Sequence, residues 1–145
     1  MKLLENHTPN FLRFYVPRNV PDSVLDDKYK KKSKLTYIIH LVNNLWHRRD
    51  GDWVPLYSQY LIDVIGDNYK KYLDYLDGKG VIDSSDSYSS SRGQCKKYRL
   101  TSRYRGVSAR EVTCRDESLI RRLSKKQKQE NRLFYRQQPY IHLRE

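Results

Sequence analysis

From Lys34 onward, apolar positions recur with helical spacing. Leu35, Ile38, Ile39, Val42, Leu45 and Trp46 fall at i, i+3, i+4, i+7, i+10 and i+11, the stripe of a helix packed on one side. The spacing predicts a helix over 34–48, with Ser33 as N-cap through a hydroxyl that accepts a first-turn N–H. Asp50-Gly51 supplies the stop. Upstream, Phe11-Leu12-Arg13-Phe14-Tyr15-Val16-Pro17 is aromatic and β-prone, but Pro17 and Pro21 interrupt it, so an extended arm is expected.

Beyond the first helix, Trp53-Val54-Pro55-Leu56 reads as a short extended piece. Leu61, Ile62 and Ile65 then set a short second helix that begins near Ser58 and closes at Gly66. Asp67 is the expected N-cap of a third helix, in which Tyr69, Tyr72, Leu73 and Leu76 repeat i, i+3, i+4, i+7 up to Gly78 or Gly80. Two short helices meeting at Gly66-Asp67 have the sequence form of a helix-turn-helix. Val81-Ile82 and Tyr98-Arg99-Leu100 are strand-like and enclose a Ser/Arg/Gly-rich tip, which predicts a β-hairpin. A last helix is expected from about Asp116 to Gln137, with a patchy apolar face of Leu119, Ile120, Leu123 and Leu133.

The charge changes the picture. The 145 residues carry 29 Lys plus Arg against 17 Asp plus Glu, a net +12, and the excess is uneven. Residues 1–29 are neutral. Residues 30–50 hold six basic groups and one acidic, 51–83 three and six, 84–110 seven and one, and 111–145 nine and five. An acidic middle between basic flanks points to a polyanionic partner met by particular faces, with phosphate the leading candidate.

Other classes fall away. No apolar run approaches the ~18 residues that cross a bilayer, and Asn6 and His7 interrupt the N-terminus before a secretory h-region develops. No membrane partner and a cytoplasmic location are expected. Cys95 and Cys114 lack C-x-x-C spacing and are read as free thiols in a reducing compartment. His7, His40, His47 and His142 stand apart from the cysteines, so no metal or other cofactor is expected. The chain carries no phosphate-cradling G-x-x-x-x-G-K-[ST] loop and no G-x-S-x-G elbow. A nicking tyrosine would need a metal to polarise the scissile phosphate. Neither an enzyme nor a small-molecule substrate is therefore expected. Of the 13 tyrosines, Tyr37, Tyr60, Tyr69, Tyr72 and Tyr98 sit on or near apolar stripes and are assigned to packing, as are His40 and His47.

At Trp53-Val54-Pro55-Leu56, Tyr69-Lys70-Lys71-Tyr72-Leu73-Asp74-Tyr75-Leu76, Gly80-Val81-Ile82 and Lys96-Lys97-Tyr98-Arg99-Leu100 the chain resembles the winged helix-turn-helix domains of phage and plasmid replication initiator or regulatory proteins. The resemblance covers about residues 34–102. It implies a mainly α, α+β fold of three helices plus a β-hairpin wing. Residues 1–33 would form an extended arm and basic linker, 34–106 the winged-helix domain, and 107–145 a C-terminal basic helix and tail. It also implies that the third helix meets the major groove while the wing grips flanking phosphates of double-stranded DNA.

The candidate nucleic-acid-binding residues follow from that placement. Opposite the third helix's apolar stripe stand Asn68, Lys70, Lys71 and Tyr75, of which Asn68, Lys71 and Tyr75 are the base-facing set. A bidentate Asn–adenine or Lys–guanine contact is worth ~1–3 kcal/mol of discrimination. Around the hairpin stand Arg92, Lys96, Lys97 and Arg99, with Arg103 and Arg105 following. Alternation puts Lys97 and Arg99 on one face and Tyr98 in the core. The run Lys28, Lys30, Lys31, Lys32 and Lys34 is either a further phosphate contact or a solvated linker. Leu119, Ile120, Leu123, Leu133 and Phe134 make the last helix a candidate homodimer contact. Because Asp67, Asp74 and Asp77 offset Lys70 and Lys71, a protein-interaction module is the alternative reading, and the abundant tyrosine leaves an RNA-binding protein as another.

Overall fold

The computed structural model describes residues 11–25, 32–85 and 96–137. In chain order these form β1 (Leu12–Pro17), α1 (Asp22–Leu25), α2 (Lys32–Arg48), β2 (Val54–Pro55), α3 (Ser58–Val64), α4 (Tyr69–Gly78), β3 (Ile82–Ser84), β4 (Lys97–Leu100), β5 (Ala109–Cys114) and α5 (Glu117–Gln137). The fold is α+β, with its described strands in two small antiparallel sheets.

α2 is the axis of the molecule. Leu35, Thr36, Tyr37, Ile38, Ile39 and Val42 are all buried, because β1, α1, α4 and the strands β2 and β4 surround its first half. Thr36, a polar residue at 0% exposure, is accommodated by donating its hydroxyl to the Lys32 carbonyl at 2.7 Å. Ser33, the expected N-cap, lies inside the first turn. Its hydroxyl donates instead to Asp116 Oδ2 at 2.5 Å, and Asp116 in turn caps α5 by accepting the Leu119 N–H at 3.0 Å. One carboxylate thus ties the start of α2 to the start of α5. The stop is where the sequence puts it. Asp50 adopts a left-handed φ of 54°, and Gly51 N–H bonds back to the Trp46 carbonyl at 2.9 Å.

α3 and α4 follow with a turn at Gly66, whose φ of +119° no side-chain-bearing residue adopts without strain. α4 closes in a Schellman motif. Gly80 takes φ +71°, Val81 N–H bonds the Leu76 carbonyl at 2.9 Å, and Gly80 N–H bonds that of Asp77 at 3.0 Å. Asn68, rather than Asp67, is the N-cap of α4. The hydroxyls of Tyr37 and Tyr60 share a 2.6 Å hydrogen bond that joins α2 to α3.

The three-stranded sheet has the order β2-β4-β3, with Val54 opposite Tyr98 and Ile82 opposite Leu100. In the second sheet the expected extended arm is a paired strand. Leu12–Pro17 is a strand paired residue for residue with β5, from Leu12↔Cys114 to Pro17↔Ala109. Phe14 and Val16 on β1, with Val112 and Cys114 on β5, enter the same core as the helices, and so does Leu119 of α5. Among the described residues, Val20 and Leu25 join this core as well. Of the apolar residues named for a dimer contact through α5, three are placed within this chain. Leu119 and Ile120 are buried within this chain, and Leu123 packs against its core. The side chains of Leu133 and Phe134 lie outside the described residues.

Candidate nucleic-acid interface

α4 buries Tyr72, Leu73 and Leu76 and packs Tyr69 against the core, which leaves Asn68, Lys70, Lys71 and Asp74 exposed. Asn68 makes no side-chain capping bond. Tyr75 departs from the base-facing set. It is half-buried, and its hydroxyl donates to the Val24 carbonyl at 2.8 Å, fastening α1 to α4. Position 75 follows Tyr72 by three residues and so borders the apolar stripe, where a long aromatic side chain reaches inward.

The Tyr72 ring gathers positive charge. Lys71 Nζ lies 5.3 Å from its centroid and Lys34 Nζ, arriving from α2, 5.7 Å. Lys34 therefore belongs to the surroundings of α4. Lys28, Lys30 and Lys31 of the same run lie outside the described residues. Exposed Asp67, Asp74 and Asp77 stand on α4 or at its start beside Lys70 and Lys71, so α3, α4 and their turn by themselves are not positive.

On the sheet, pairing separates two faces. Tyr98 shares the inner face with Val54, Ile82 and Leu100, and Lys97 and Arg99 share the outer one. Lys96 and Lys97 are exposed at the start of β4. Arg92, the remaining tip candidate, lies outside the described residues, as do Tyr88 and Cys95. Arg99 is engaged within the fold. Its guanidinium stacks 4.0 Å from the centroid of Trp53, its Nε is buried without a hydrogen-bond partner among the described residues, and Asp83 faces it across the strands. Arg103 and Arg105 occupy the turn beyond the opposite end of β4. There Asn19 Nδ2 donates to the Arg103 carbonyl at 3.0 Å and Tyr104 anchors the loop in the core. The structure brings Lys96 and Lys97 together and sets Arg103 and Arg105 apart from them.

Tyr57, which the spacing of apolar residues does not single out, joins this surface. It is 62% exposed at the N-cap of α3, and the N–H of its neighbour Leu56 bonds the Lys96 carbonyl at 3.4 Å. Its signal in the sequence is an aromatic residue directly before the Ser58 helix start, at the edge of the sheet.

Two titratable groups away from this surface, His40 and Cys114, are shifted by burial. His40 is held below its ordinary 6.5 by burial, and its Nδ1 accepts the Tyr15 N–H at 3.0 Å, which requires an unprotonated nitrogen. Burial raises the Cys114 thiol. Among the described residues no three His, Cys, Asp or Glu side chains are grouped to hold a metal ion, and no described helix is long and apolar enough to cross a membrane. Comparisons with protein-family models, curated proteins and solved structures yield no match to this chain.

Proposed function

We propose that this chain is a winged-helix DNA-binding protein that holds duplex phosphates through its basic sheet edge and presents α4 to the major groove. The observation that carries the reading is chain order combined with pairing. Helix α2, strand β2, helix α3, a Gly66 turn and helix α4 are followed by β3 and β4, and β4 lies centrally in a sheet of order β2-β4-β3. That arrangement supports a helix-turn-helix flanked by a two-stranded wing. Exposed Asn68, Lys70 and Lys71 on α4, with exposed Lys96 and Lys97 where the wing begins, supply donors for base edges and phosphates. The biological setting that fits is replication initiation or transcriptional control in a phage or mobile element.

Salt dependence tests it. With about five phosphates neutralised, affinity for duplex falls roughly 500-fold between 50 and 200 mM salt. Fluorescence anisotropy of a labelled duplex reads this directly, and a flat response across that range removes the proposal. The four aspartates on α3, α4 and their turn favour a second reading, a protein-docking helix pair. Under that reading Lys97→Glu abolishes whatever DNA binding exists while Lys71→Glu leaves it intact.

A further inference from the structure

The helix-turn-helix has a charge deficit. Residues 58–78 hold only Lys70 and Lys71 against Asp63, Asp67, Asp74 and Asp77, whereas a groove-reading element runs between two rows of phosphate. The structure places a remedy beside it. α5 is anchored in the core by Leu119, Ile120 and Leu123 and runs along α3. Lys126 Nζ bonds Asp63 Oδ2 at 2.9 Å and lies 5.6 Å from the Tyr60 ring centroid. The hydrogen bonds from Lys126 and Gln59 hold the Asp63 carboxyl below its ordinary range, and the charges of Lys126 and Lys125 add to the effect. One turn earlier Arg122 reaches the α3–α4 turn itself, with Nη1 3.1 Å from where a Cβ on Gly66 would stand.

We infer that α5 is part of the DNA-binding surface, its exposed Arg122 and Lys125 holding the phosphates that flank the groove entered by α4. This rests on the reading of the chain as a duplex-binding winged helix and names which cations complete that site. Lys126 neutralises Asp63, and Arg122 and Lys125 then offset the remaining acidic charge of the turn and of α4. Gly66 serves the same end twice, by making the turn and by leaving space for the Arg122 guanidinium. Lys128, six residues beyond Arg122 and so about 9 Å farther along α5 from the α3–α4 turn, is outside the surface.

The experiment measures binding of a fluorescein-labelled random-sequence duplex by the full chain across a salt series. It compares the wild type, Arg122→Ala with Lys125→Ala, Lys128→Ala and Lys97→Ala, with circular dichroism melting of each. The double variant is expected to lose about two units of the log–log salt slope and on the order of 10-fold in affinity at low salt, with an unchanged melting temperature. Lys128→Ala is expected to bind as wild type, and Arg122→Lys with Lys125 intact to keep the full slope. A double variant with the wild-type slope, beside a weakened Lys97→Ala, overturns the role of α5 and leaves the duplex-binding reading standing. Equal losses from the double variant and Lys128→Ala overturn it too, since the charge of α5 would then act diffusely. Wild-type protein that ignores duplex removes the parent reading and this inference together.

Discussion

α2 and α4 carry nearly the same sequence signature, an apolar stripe at helical spacing, yet they sit in opposite circumstances. The first half of α2 is enclosed, with every residue from Leu35 to Ile39 buried. α4 buries only Tyr72, Leu73 and Leu76 and leaves a continuous polar side open. A stripe shows which side of a helix faces the core, but the number of neighbouring elements decides whether the other sides are covered too. Here α1, β1 and the sheet close around α2, while α4 lies at the periphery against α2 and β3. One helix is scaffold and the other is display.

The sharpest way to break that division is to exchange the readouts. Ile38→Ala removes a fully buried side chain from the scaffold helix and is expected to cost about 2–5 kcal/mol in a denaturant titration. Duplex affinity per folded molecule should stay as it was, and a large affinity loss without destabilisation would erase the distinction. Next in size, Lys70→Ala with Lys71→Ala on α4 is expected to lower the salt slope by roughly 1.8 and to leave the melting temperature within a few degrees. A clear fall in stability would make α4 scaffold as well.

The smallest effect is a pH dependence seated in α2. Unfolded, His40 titrates near 6.5; folded, burial holds it lower. The folded state therefore binds fewer protons between those two values, and stability falls as pH drops through that window. Melting temperatures followed from about pH 7.5 down to 5 should show this decline, and His40→Asn, whose amide oxygen can still accept the Tyr15 N–H, should flatten it.

What the sequence made legible was local. The stripe from Leu35 to Trp46, the stop at Asp50-Gly51, the Gly66 turn and the alternation across Tyr98 each depend on residues a few positions apart, and each appears where expected. β5 escaped because Ala109-Arg110-Glu111-Val112-Thr113-Cys114 offers only Val112 and Cys114 to the core, and its partner strand is almost a hundred residues away. The site was readable to the same depth. The exposed positions of α4 followed from periodicity, as did the outward side of Lys97. Tyr75 and Arg99 did not, because Val24 and Trp53, their partners, come from other elements. The nearness of Arg122 to Gly66 likewise belongs to tertiary structure alone.

The pairing of Leu12 with Cys114 also sets a timetable for the chain as it leaves the ribosome. At translation rates of about 5–20 residues per second, β1 waits on the order of 5–20 s for the strand that completes it. Until then Phe14 has Tyr37 and His40 of α2 to pack on, but the backbone edge of β1 that β5 pairs stays open, a state in which a nascent polypeptide is prone to wrong partners. The α2–α3–α4 unit, complete well before that moment, is the platform on which the late strand docks.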